Sequence, residues 1–144
     1  MIAIGSDHVG VEMKDALINW ISEQGIPVTD YGANSKDSVD YPDYAHAVAG
    51  SILDGESVIG ILICGTGNGI SMTANKWRDI RSAICWNTEI AKLSRQHNNA
   101  NILALPARFI SIEESIQIVE VFLDTEFEGG RHEKRVNKIN PNLI

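Results

Sequence analysis

The sequence predicts an α/β protein built on a five-stranded parallel sheet with crossover helices. Short β-rich apolar runs alternate with segments of helical period, which is the pattern such a sheet requires. One of those runs, 58–64, has no polar face, as a central strand covered on both sides must be. The 144 residues are 44% hydrophobic and 22% charged, which suits one domain over 1–144 with a sizeable core and excludes a disordered or rod-like chain.

The elements follow in order. A run at 2–5 opens the sheet, and Met13, Leu17, Trp20 and Ile21 then recur at helical spacing. Gly25 ahead of Pro27 stops that helix. A second run lies at 27–31, followed by a helical face of Tyr44, Val48 and Ile52. In the run at 58–64, Ile59, Ile61, Leu62 and Ile63 fill both faces. Further runs at 81–86 and 100–105 complete the five. Ile112, Ile116, Val119 and Leu123 mark a last long helix, and Ser111 with Glu114 forms a capping box at its start. Six acids and no Lys or Arg lie between Ile112 and Gly130, whereas Arg131, Lys134, Arg135 and Lys138 dominate the tail.

Lys plus Arg number 12 against 19 Asp plus Glu, a formal charge of -7, so the whole-protein field repels polyanions and excludes nucleic acid as a first partner. No basic leader opens the chain, and no apolar stretch reaches the roughly 18 residues a membrane span needs. A cytoplasmic protein with no membrane partner is expected. Cys64 and Cys85 are then two reduced thiols, and the absence of Cys-x-x-Cys spacing weighs against a redox role.

In a parallel sheet the loops at the carboxyl ends of the strands form the binding crevice. Those loops carry Asp7 and His8 after the first run, Cys64-Gly65-Thr66-Gly67-Asn68-Gly69 after the third, Trp86-Asn87-Thr88 after the fourth and Pro106-Ala107-Arg108 after the fifth. Three glycines in five residues let backbone N–H groups turn inward around an oxyanion or phosphate, or simply make a tight turn. No Gly-Lys-Ser/Thr follows, so the loop is not a Walker loop. Ile70 stands where the dinucleotide fingerprint needs its third glycine and where a cysteine phosphatase needs its arginine.

Cys64 is either a base whose pKa the loop amides and the following helix lower, or a buried apolar cysteine. Cys85, inside a strand, reads as the latter. Asp7-His8 reads as an Asx turn or as ligands, and His97 as a polar helix end or a proton donor. Arg131 and Arg135, four apart, share one helical face that either grips a phosphate or is merely solvated.

Taken jointly these pieces resemble the ribose-5-phosphate isomerase B family. The resemblance rests on Gly5-Ser6-Asp7-His8-Val9-Gly10, Asp40-Tyr41-Pro42, Ile63 to Ile70 with Ala74-Asn75-Lys76, Ser94-Arg95-Gln96-His97-Asn98, and Glu128 to Val136, and it spans nearly the whole chain. It implies a Rossmann-like three-layer sandwich with a C-terminal helical tail. It also implies interconversion of D-ribose 5-phosphate and D-ribulose 5-phosphate through an enediolate, with no metal and no organic cofactor.

By matching position, Cys64 is the base, and Thr66 with the amides from Gly65 through Gly67 and Asn68 to Gly69 holds the oxyanion. His97 opens the furanose ring, Asp7, Tyr41 and Asn98 contact the sugar, and His8, Arg108, Arg131 and Arg135 bind phosphate. Relatives lacking the cysteine carry a glutamate where Ile70 stands. An isomerase of allose or galactose 6-phosphate is the nearest alternative, and a non-catalytic nucleotide-binding module is the alternative of another class.

His97 and Asn98 precede the fifth run, near the amino edge of the sheet and opposite Cys64. A two-fold dimer sharing its sites, alone or within a tetramer, is therefore expected to unite them.

Overall fold

A computed structural model of the chain describes residues 1–142. Five parallel strands stand in the order β2-β1-β3-β5-β4, with β1 at Ile2–Ser6, β2 at Val28–Asp30, β3 at Ile59–Cys64, β4 at Ser82–Ile84 and β5 at Ile102–Pro106. Six helices join them: α1 Val11–Glu23, α2 Tyr41–Leu53, α3 Asn68–Ala74, α4 Thr88–Gln96, α5 Ile112–Asp124 and α6 Arg131–Val136. A 3-10 turn, His8–Gly10, leads from β1 into α1.

Alternation along the strands divides the interior into two cores. Ile2 and Ile4 of β1, Ile61 and Ile63 of β3, and Leu103 and Leu105 of β5 face Met13, Leu17 and Ile21 of α1 and Ile118, Val119 and Phe122 of α5. On the opposite face, Ala3, Leu62, Cys64 and Ile102 meet Ala45, Val48 and Ala49 of α2 and Ile70 and Ala74 of α3. The result is the three-layer sandwich that the apolar run of β3 requires.

The two edge strands are shorter than their apolar runs: β2 holds two partly buried positions and the exposed Asp30, and β4 three partly buried ones. Ser111 caps α5 reciprocally with Glu114, and Gly25, at φ 78°, follows the end of α1. Lys14 of α1 is fully buried and reaches Asp30 at the end of β2, Nζ to Oδ2 2.8 Å, which ties the first crossover to its strand.

Strand order also fixes the crevice. The chain leaves β3 toward α3 on one face of the sheet, while β1 and β5 on either side lead to α1 and α5 on the other. The carboxyl end of β3 is thus flanked by diverging loops on both sides. Cys64 is the last residue of β3.

Candidate active site

Cys64 opens on a cavity of about 300 Å³ lined by Asp7, His8, Val9, Tyr41, Gly65, Thr66, Gly69 and Arg108. The convergence is a consequence of register. Ser6 pairs with Ile63 and Cys64 with Pro106, so the residues that follow β1 and β5 arrive beside the one that ends β3. Backbone hydrogen bonds lock the three ends together: Asp7 N–H donates to Ile63 O at 3.1 Å, Ala107 N–H to Cys64 O at 2.9 Å and Arg108 N–H to Gly65 O at 3.0 Å.

Asp7 serves two purposes. Its Oδ1 accepts the N–H groups of Val9 and Gly10, at 3.0 and 3.2 Å, and caps the 3-10 turn. The Asx reading of the sequence is therefore correct as local structure, and the same carboxylate still lines the cavity. His8 Nδ1 accepts the Val39 N–H at 3.2 Å. An accepting Nδ1 carries no proton, so the neutral ring presents an Nε2–H donor.

The glycine loop is shaped by two contacts. Gly67 adopts φ 77°, a left-handed turn that sends the chain straight into α3. Gly69 lies under Tyr41: a Cβ there would stand 2.5 Å from the Tyr41 ring. Thr66 Oγ1 accepts the Asn68 N–H at 3.1 Å. Among the described residues, the N–H groups of Thr66 and Gly67 meet no protein acceptor, which leaves two free donors two and three residues after Cys64. Gly67 and Asn68 hold the turn and stand outside the cavity lining.

Arg108 stacks over Gly65, with Nε 3.2 Å from where a Cβ would lie, and its exposed guanidinium borders the cavity. Cys85 contrasts with Cys64. It is fully buried, and desolvation pushes its thiol up to about 11 in spite of an opposing contact with Ser94 Oγ at 3.8 Å.

The remaining predicted residues gather elsewhere. His97 caps the end of α4 and, with Asn98, His132 and Arg135, lines a separate cavity of about 290 Å³. Arg131 opens α6 one turn before Arg135, and both side chains are exposed. The His97 and His132 rings stack 4.2 Å apart, and His97 Nε2 lies 3.9 Å from Glu128 Oε1. Burial holds the His132 imidazole below the usual histidine range, aided by His97 and Arg131. Asn98 also borders a cavity of about 450 Å³ between Trp77 and the tail at Asn140.

One chain therefore carries two separate clusters, one around the Cys64 thiol and one around the His97 and His132 imidazoles. Glu128 and His132 received no role from the sequence. The only signal for them was their place in the Glu128 to Val136 motif.

A sheet whose central strand ends in a thiol, beside free amides and under an arginine, defines an α/β protein with a polar pocket at the carboxyl edge of its sheet. The chain belongs to the ribose/galactose isomerase family, whose sequence model matches residues 2–139. Within that family it is an isomerase of the ribose-5-phosphate isomerase B branch. The probable ribose-5-phosphate isomerase B of Mycoplasma pneumoniae is 47% identical over 96% of this chain and 91% of the relative. Ribose-5-phosphate isomerase B of Escherichia coli K12 is 46% identical, covering 96% and 93%. Among solved structures, the enzyme from Thermotoga maritima superposes with a TM-score of 0.94 at 53% identity, covering 96% of this chain and 95% of the other. That from Mycoplasma genitalium, solved with bound ribulose 5-phosphate, gives 0.92 at 42%, covering 96% and 92%.

Proposed function

We propose that this chain interconverts D-ribose 5-phosphate and D-ribulose 5-phosphate in the cytoplasm, with Cys64 as the base. The observation that carries the reading is the position of that sulfur. It ends the central strand on a cavity rimmed by Asp7, His8, Tyr41 and Arg108, with unpaired amides two and three residues further on.

Aldose-ketose isomerisation removes a proton from C2 and returns it to C1, while the hydroxyl proton on O2 passes to O1. The electron pair released at C2 forms the enediolate, and its charge collects on the former carbonyl oxygen. A thiolate at Cys64 supplies the base, and Thr66 with the N–H groups of its loop holds the oxygen where charge grows. The phosphate, remote from the reacting carbons, anchors the substrate on His8, Arg108, Arg131 and Arg135 and so orients C1 and C2. Asp7, Tyr41 and Asn98 contact the sugar. His97 gives a proton to the ring oxygen as the furanose opens. No step calls for a metal or an organic cofactor.

His97, Asn98 and Arg135 line a different cavity from Cys64, so the complete site forms between two copies of the chain related by a two-fold axis. The test is incubation with ribose 5-phosphate in deuterated water with a chelator present. The expected result is ribulose 5-phosphate with deuterium at C1, abolished in Cys64→Ala while ribose 5-phosphate binding survives. Turnover of allose or galactose 6-phosphate but not of ribose 5-phosphate, or full activity in Cys64→Ala, overturns the reading.

A further inference from the structure

We propose that His97, Glu128 and His132 form a site for a divalent cation of zinc type, and that filling it switches off the imidazole cluster of the isomerase. One donor atom from each of the three lies within 4.8 Å of the other two. The trio is assembled by the fold, not by one helix surface. His97 caps the end of α4, Glu128 is tied there by its N–H donating to Gln96 O at 3.1 Å, and His132 stands in α6.

The donor set points to the class of ion. Two imidazoles and one carboxylate suit zinc, and three protein ligands leave a fourth position for water or substrate. Calcium and magnesium prefer all-oxygen shells and fit poorly. Tetrahedral zinc holds its donors about 3.3 Å apart, given metal-ligand bonds near 2.0 Å. The His97 Nε2 to Glu128 Oε1 separation of 3.9 Å must therefore shrink by about half an ångström, and the stacked rings must splay.

Mobility is available where it is needed. His132 is 8% exposed and acts as the anchor, whereas the His97 and Glu128 side chains are 40% and 49% exposed within one chain, so they are packed less tightly by it. Arg131 and Arg135 on the same short helix oppose a cation, which makes the site a reversible one and not a structural zinc centre. The inhibitory consequence rests on His97 as the ring-opening group, because a nitrogen held by zinc neither gives nor takes a proton. Binding itself does not depend on that role.

The experiment separates the two. Zinc ion is titrated calorimetrically into Cys64→Ser, which removes the competing thiol, and into the same variant carrying His132→Gln or Glu128→Gln. One zinc per chain is expected in the first, and affinity lower by at least about ten-fold in each of the others. Glu128 is an exposed side chain whose replacement leaves the fold intact, so equal affinity in its variant overturns the site. In parallel, zinc inhibition is measured on the unmodified enzyme and on His132→Gln, each against its own metal-free rate. A rise of about ten-fold in the inhibitory concentration supports the switch, and no change overturns it. A chain that binds zinc as described but never isomerises ribose 5-phosphate refutes the proposed function and keeps the metal site.

Discussion

Gly69→Ala separates activity from stability at a single methyl group. The added Cβ would stand 2.5 Å from Tyr41 Cζ, 2.6 Å from Cε1 and 2.9 Å from the hydroxyl. Carbon atoms at rest sit about 3.5 Å apart or more, so ring and loop must part by about 1 Å. Tyr41 is 40% exposed and yields, and Gly69 is not in a left-handed conformation, so its backbone accepts a side chain. Replacing glycine by alanine inside α3 even favours the helix by about 0.5–1 kcal/mol. The urea midpoint should therefore stay level or rise.

Catalysis should suffer, because both Tyr41 and Gly69 line the Cys64 cavity. A misplacement of about 1 Å at a reacting centre costs about 100-fold in kcat/KM, or about 3 kcal/mol of transition-state stabilisation. The assay is ketose formation from ribose 5-phosphate beside urea unfolding, on Gly69→Ala, Tyr41→Ala and the double variant. Since the methyl acts through the ring, the double variant should lose no more than Tyr41→Ala alone. Wild-type turnover in Gly69→Ala, or losses that add in the double variant, would refute the reasoning.

Other outcomes follow from the two thiols and the buried ammonium. Iodoacetamide should alkylate Cys64 in the folded protein and leave Cys85 untouched until the chain unfolds, as read by peptide mass spectrometry, with ribose 5-phosphate protecting Cys64. Cys85 also sets an alkaline limit. Burial raises its folded pKa from 9.0 to about 11, so its contribution to stability is complete below pH 9 and falls away by about 3 kcal/mol as pH rises to about 11. Cys85→Ala should flatten stability over that window, and an unchanged alkaline slope would contradict it. Asp30→Ala strands the buried ammonium of Lys14 with only the exposed Asp15 at 3.3 Å, and should cost about 3 kcal/mol in urea unfolding without altering KM.

Much of this arrangement was legible in the residues. Ile59 to Ile63 could only be a central strand, and the capping box at Ser111 and Glu114 fixed where α5 begins. The chemistry of the carboxyl edge was legible for the same reason: a parallel sheet places Asp7, Cys64 and Arg108 on one rim wherever its strands pair. Edge strands were harder to bound. The runs around β2 and β4 carry apolar residues beyond the few positions that pair, because an edge strand has a neighbour on one side only.

What stayed hidden depends on contacts distant in sequence. The Val39 N–H that sets the His8 tautomer comes from a loop 31 residues away, and no spacing rule reports it. The stack of His97 on His132 joins the ends of α4 and α6, and Glu128 enters only because its backbone hydrogen-bonds to Gln96. Asp7 shows a further reason. Its capping role and its place in the cavity are not alternatives, since one oxygen serves the turn and the other remains for a ligand.

Mixing two inactive variants tests the proposed sharing of the site between two chains most directly. Cys64→Ala and His97→Asn are each unfolded, combined in equal amounts and refolded together, so that half of the two-fold dimers contain one chain of each kind. In such a dimer one site receives Cys64 from one chain and His97 from the other, and its twin receives neither. Isomerase activity should return to about a quarter of the unmodified enzyme's value. A mixture no more active than its two components would show that one chain holds both groups in a single site, or that the chemistry uses neither.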